Sequence, residues 1–190
     1  LLSGNLFFYC KRNNSHFFSK FSYFITLFFL SFPLGHNFTH IFLCDNNDTG
    51  YKYQLKPLIQ DYIDTGRVTV YNYNDIHPIQ PHCYNDIYQK HGYDYDWFTL
   101  IDIDEFYCLP KYNNDINKFL NTVPNNVYNI RVLWRMYGDN ELIEYENKPV
   151  QERFIKYSDS KSFYKGMHSI VKPIFRGKHY YTTGTPTVYH

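Results

Sequence analysis

Apolar and polar positions fall in blocks along this chain, and the sharpest block is Trp97-Phe98-Thr99-Leu100-Ile101. It runs directly into Asp102, Asp104 and Glu105. A continuous apolar run bounded by polar sequence predicts a strand buried on both faces of a parallel sheet. Ile41 to Cys44 and Val68 to Tyr71 predict two earlier strands of the same kind. Between them, Tyr51 to Asp64 carries Leu55, Leu58, Ile59 and Tyr62 at helical spacing, with Gly66 as a stop. Residues 78–91 predict a second helix, ended by Gly92. Strand, helix, strand, helix, strand in this order predicts parallel crossovers and a doubly wound α/β sheet. After Pro110 the rhythm changes. A short helix over 115–120 is followed by a strand over 127–134 and a loop over 135–140. Residues 150–157 read as either helix or strand, and 167–175 as a strand that Pro173 marks as an edge.

The first 35 residues do not share this rhythm. Phe21 to Leu34 is almost wholly apolar, yet its fourteen residues fall short of the roughly 20 that a helix needs to cross a bilayer. A buried helix, a signal-peptide core and a membrane-surface segment all fit it. Cytoplasmic location, peripheral membrane association through 21–34 and single-pass anchoring therefore stay open. Opening on Leu1 rather than Met, the chain reads as a fragment. The expected division is a Phe-rich segment over 1–35 and one α/β domain over 36–190, large enough to bury a core.

Composition narrows the partners. A formal net charge of +1 argues against a broad nucleic-acid-binding face. Aromatics make up 21% of the chain. They come with abundant Asn, Ile and Lys, all encoded by AT-rich codons, so base composition explains them better than sugar-stacking platforms. The four cysteines, Cys10, Cys44, Cys83 and Cys108, show no metal-binding spacing. Cys44 and Cys108, in or beside predicted strands, read as structural thiols.

The candidate chemistry lies at the end of the sharpest strand. Alternate strand residues share a face, so Asp102 and Asp104 project together, about 7 Å apart along the backbone. Two such carboxylates repel unless a cation lies between them, and all-oxygen ligation suits Mg²⁺ or Mn²⁺. Ligands in open α/β sheets bind beyond the carboxyl ends of strands, where these acids fall. The alternative is an ordinary strand-end loop. Asp94-Tyr95-Asp96 repeats the pattern but precedes the strand and reads as a solvated loop.

Several pieces now stand in order. They are Asp45-Asn46-Asn47 after a strand, Gln80 with Tyr84-Asn85-Asp86, and Trp97 with Asp102-x-Asp104-Glu105-Phe106. Trp134 with Tyr137-Gly138, Glu152-Arg153-Phe154 and Ser169-Ile170-Val171-Lys172-Pro173 follow. This set, over about residues 36 to 178, resembles glycosyltransferase family 92 and its bacterial relatives in the wider family 2-like group. The resemblance implies a GT-A fold, a Rossmann-like half holding a nucleotide sugar followed by an acceptor-binding half. It implies Mn²⁺ or Mg²⁺ on Asp102 and Asp104, bridging the diphosphate of a UDP-sugar donor, with galactose among the sugars transferred. The partners implied are that nucleotide sugar and a saccharide acceptor, joined with inversion. Glu105 is expected to support the geometry of the loop or to brace a metal ligand from behind.

The resemblance also assigns roles with alternatives beside them. Asp45 either accepts a hydrogen bond from the nucleobase or bonds its own backbone in an Asx-turn. Glu152 is the preferred general base and Asp139 its competitor, against a plain surface Glu–Arg pair. Arg153 and Lys172 either meet phosphate oxygens or are solvated surface charges. His179 is a candidate third metal ligand, with His190 and His168 as rivals. Trp134 and Tyr137 either stack on an acceptor sugar or pack in the core. Residues 1 to 35 match no family segment, which a shifted reading frame would explain. Two further readings compete: a degenerate or truncated glycosyltransferase without turnover, and a haloacid-dehalogenase-like phosphatase, whose Asp-x-Asp belongs to a first strand.

Overall fold

The computed structural model describes residues 5–10, 36–45, 55–73, 80–102, 105–135, 137–139, 141–142, 144, 146, 148, 150–157 and 171–181. The fold is mixed α/β, with both parallel and antiparallel strand pairs. Its strands are β1 (Asn5–Cys10), β2 (His40–Asp45), β3 (Val68–Asn72), β4 (Trp97–Leu100), β5 (Asn129–Leu133) and β6 (Val171–Arg176). They form one sheet in the order β3-β2-β1-β4-β6-β5. β1 pairs in parallel with both β2 and β4, β2 with β3, while β6 runs antiparallel to β4. The chain therefore lays β2 and β3 on one side of β1, then returns to place β4 on the other.

β1 is the strand that the hydrophobic pattern passes over. Leu6-Phe7-Phe8-Tyr9-Cys10 is a short apolar run between Asn5 and Lys11, a pattern common in the strands of parallel sheets. The apolar stretch 21–34 lies outside the described residues. No helix of the described residues is long and apolar enough to cross a membrane.

The helix expected over 51–64 is two short ones, α1 (Leu55–Leu58) and α2 (Gln60–Asp64). Ile59 leaves helical geometry between them (φ −124°, ψ 19°). Pro57, in the first turn, has no N–H to give to the ladder. α3 (Gln80–His91) lays Cys83, Tyr84, Ile87 and Tyr88 on Phe42, Cys44, Phe98, Leu100 and Phe175 of the sheet. Tyr88 meets Phe98 and Phe175 edge-on at 5.0 and 5.3 Å and donates its hydroxyl to the Arg176 carbonyl at 3.0 Å. α4 (Ile116–Leu120) packs on the other face, where Ile116, Leu120 and Phe38 line a small cavity with Trp97, Thr99 and Ile174. Asp115 caps α4 by accepting from the backbone N–H groups of Asn117 and Lys118, at 2.9 and 3.2 Å.

Residues 150–157 resolve into α5 (Val150–Arg153) and an antiparallel bridge between Tyr137 and Tyr157. β6 is not an edge strand, because β4 and β5 flank it. Its pairing with β4 spans Ile174 to Arg176. Pro173 lies just past that stretch, where its missing N–H breaks no bond to β4. Two compact units emerge, Leu1–Ile130 with Ile174–His190, and Arg131–Pro173.

Candidate functional site

The first unit gathers acids at the carboxyl edge of its parallel strands. Phe8 of β1 is level with Phe42 of β2 on one side and Leu100 of β4 on the other. β2 ends at Asp45, and Asp102 follows β4 by two residues. Both carboxylates therefore belong to one edge, on either side of β1, with their strands about 10 Å apart. This is also where the strand order reverses, the position at which open α/β sheets bind ligands. Asp45 is only 4% exposed, and its carbonyl accepts the Tyr73 N–H at 2.7 Å. Asp102 is half-buried.

The loop carrying Asp102 is pinned in two places. The Asp102 N–H donates to the Glu105 carboxylate at 3.0 Å, and the Glu105 N–H donates to the Asp102 carbonyl at 3.1 Å. Glu105 therefore ties the loop with both its carboxylate and its backbone N–H. Farther on, the Tyr107 hydroxyl shares a buried 2.5 Å hydrogen bond with Thr99 inside β4. Asp104 lies outside the described residues. Among the described residues, no three His, Cys, Asp or Glu side chains are grouped to hold a metal ion.

His179 is placed elsewhere. Its Nε2 lies 3.1 Å from the carboxylate of Asp96, the residue before β4, whereas Asp102 follows that strand. The two residues stand at opposite ends of β4. His168 and His190 lie outside the described residues.

The remaining candidates fall in the second unit. Asp139 is exposed, and its carboxylate accepts the Glu141 N–H at 3.0 Å, an Asx-type turn. Glu152 is exposed in α5. The half-buried Arg153 has its guanidinium 4.9 Å from the Phe154 ring. Lys172 is no solvated charge. It is 3% exposed, with its ammonium 5.2 Å from the Trp134 ring.

Other residues of the ordered set serve the fold. Tyr84 is fully enclosed in the core. Asp86 accepts from Tyr73 at 2.5 Å and Lys90 at 2.7 Å. Burial works against its charged form, but these two hydrogen bonds hold its carboxyl below the usual range. Cys44 and Cys83 are buried thiols, while Cys108 is exposed and outside any strand.

One polar network was not foreseen from the sequence. His91 at the end of α3 stacks on Phe42 at 4.4 Å. Its ring nitrogens meet the Tyr71 hydroxyl at 2.7 Å and the Asp94 carboxylate at 2.9 Å. His40, on the same face of β2, lies 4.7 Å from Phe42 and 2.9 Å from the Thr69 hydroxyl. Burial, with the nearby His91 and Arg67, pushes the His40 pKa down to about 4. Phe42 pairs with Thr69 and Cys44 with Tyr71, so His40, Thr69 and Tyr71 share one sheet face only through the β2–β3 register, which the sequence does not give.

No family model matches the chain, and no curated protein matches it.

Proposed function

We propose that the protein is a metal-dependent glycosyltransferase of GT-A type, with a doubly wound, mostly parallel sheet. It transfers a sugar, galactose being a plausible one, from a UDP-sugar to a saccharide acceptor with inversion. The observation that carries this reading is the placement of Asp45 and Asp102 at one carboxyl edge, on either side of the central strand where the order reverses. The run β3-β2-β1-β4 is that of a Rossmann-like half. The donor set is of carboxylate oxygens, and Asp102 is only half-buried, so the chemistry fits Mg²⁺ or Mn²⁺ held by Asp102 and Asp104. Bound there, the ion would offset charge on the leaving nucleoside diphosphate.

The chain's own residues take the other roles. Glu105 fixes the backbone of the metal loop, and Asp45 orients the nucleobase. Glu152, exposed in α5, deprotonates the acceptor hydroxyl, with Asp139 as the competing base. His179 is engaged with Asp96 and is left out of the metal set. One observation favours a glycosyltransferase-like protein without turnover: Asp45 is 4% exposed, which restricts its access to a base.

Calorimetric titration of UDP into the chain, with and without Mn²⁺, tests the reading. Binding is expected to require Mn²⁺ and to weaken by about tenfold or more, roughly 1.4 kcal/mol, in Asp102→Asn and in Asp104→Asn. A folded chain that ignores UDP in the presence of Mn²⁺ would sink it.

A further inference from the structure

The polar network around His91 sets three reactive groups in sequence. Tyr71 lies on β3, at the end of the strand order, and packs beside Phe42 on the sheet face that α3 covers. His91 closes α3, and Asp94 follows in the loop before β4. The Tyr71 hydroxyl stands 2.7 Å from His91 Nε2, and His91 Nδ1 stands 2.9 Å from the Asp94 carboxylate. Three separate segments therefore bring a hydroxyl, an imidazole and a carboxylate into one line. Asp102 lies past the other end of β4, so the acidic edge takes no part.

The order of the groups fixes their protons. A carboxylate only accepts, so Nδ1 carries the hydrogen, and the neutral ring keeps a lone pair on Nε2. Tyr71 then donates its hydroxyl proton to that lone pair. A hydroxyl with a base in hydrogen-bond reach, and a third group orienting the base, is the arrangement that activates a nucleophile. Phe42, stacked on the His91 ring at 4.4 Å, fixes the plane of the imidazole. The Lys90 ammonium lies 5.0 Å from the Tyr71 ring and favours negative charge building on the phenol oxygen. The line opens to solvent. The Asp94 side chain is 57% exposed, and His91 and Tyr71 are half-buried.

We propose that Tyr71 is an acyl-accepting nucleophile, with His91 as its general base and Asp94 as the residue that positions the imidazole. The substrate class is an activated ester, a small acyl group on a good leaving group. Tyr71 Oη attacks the ester carbonyl carbon while its proton passes to His91 Nε2. The bond to the leaving oxygen then breaks, and the alcohol departs with that proton, leaving an acyl-tyrosine. Water, giving its proton to the same imidazole, cleaves the acyl-tyrosine to the free acid and restores the phenol. A phenol leaves more readily than an aliphatic alcohol, which favours this second step. The activity draws on no residue assigned to the donor site.

Brief reaction of the full chain with p-nitrophenyl acetate, followed by peptide mapping by mass spectrometry, tests the assignment. Tyr93 is the internal standard: it is 70% exposed, so access alone favours it over Tyr71. A positioned base contributes about a hundredfold or more, and poorer access offsets part of that, so Tyr71 is expected to outpace Tyr93 by about tenfold. His91→Gln keeps an acceptor for the phenol but removes the base, and should bring Tyr71 down to the rate of Tyr93 or below. Asp94→Ala should slow Tyr71 several-fold, and Asp94→Glu should restore it. Tyr71→Phe should cut the release of p-nitrophenol several-fold. Slower acetylation of Tyr71 than of Tyr93 in the parent chain would overturn the proposal, and that comparison needs no variant to fold. Equal acetylation of Tyr71 in the parent and His91→Gln would overturn it as well. So would undiminished p-nitrophenol release in Tyr71→Phe, which would make His91 or Lys90 the nucleophile.

Discussion

The Tyr107 hydroxyl is enclosed in the first unit, and burial drives its pKa upward, so it bonds Thr99 as a neutral phenol. Thr99 lies within β4 and Tyr107 lies five residues past Asp102, so this one bond closes the acidic loop back onto the strand. Glu105 adds the second tie, to the Asp102 backbone. Tyr107→Phe keeps the ring and removes the bond. It is expected to cost about 1 kcal/mol, read as a lower urea midpoint with an unchanged slope. The freed loop should also weaken manganese-dependent UDP binding. A midpoint equal to that of the parent chain would show that the bond holds nothing.

At the scale of the element, β2 carries a titration that the fold resists. His40 opens the strand, the rings of His40 and His91 both lie against Phe42, and Arg67 adds positive charge nearby. The folded pKa of about 4 lies below the ordinary 6.5. Above pH 6.5 the ring is neutral in both states and costs nothing. Between 6.5 and 4 the unfolded chain binds the proton more readily, so stability falls as pH falls, and the loss is complete below 4. The upper limit is about 3 kcal/mol, reduced to roughly 1–2 kcal/mol by the partial exposure of the ring. Urea unfolding at pH 7 and pH 4.5 should show this decline in the parent chain and a smaller one in His40→Gln. Equal declines would assign the effect to other groups.

At the scale of the whole molecule, β1 joins two halves of the sheet. β2 and β3 lie on one side of it, and β4 with β6 and β5 on the other. Both of its edges are paired, so removing it exposes two rows of strand backbone at once. Deleting residues 1–10 is expected to abolish cooperative unfolding and near-ultraviolet circular dichroism. Retention of a sharp transition near the parent midpoint would show that the sheet closes without its central strand.

Elements whose signals are local can be read from the order of residues alone. The apolar runs at 41–44, 68–71 and 97–101 fall on β2, β3 and β4, with Asp102 beyond the last of them. The helix over 78–91 and the short one after Asp115 are there as well. Periodicity reports the type of a segment and which of its sides is buried. It does not name the neighbour. The central place of β1, the inward position of β6 and the burial of Lys172 depend on which distant segments pair, and they emerge only when the chain is folded. Gly92 shows the difference within one residue. It was legible as the end of α3, but its role is close approach: a Cβ there would stand 2.5 Å from the Lys178 side chain, 86 positions away in the chain. His179 likewise follows β6 to the amino end of β4, because an antiparallel partner delivers its last residues to the end where its neighbour begins.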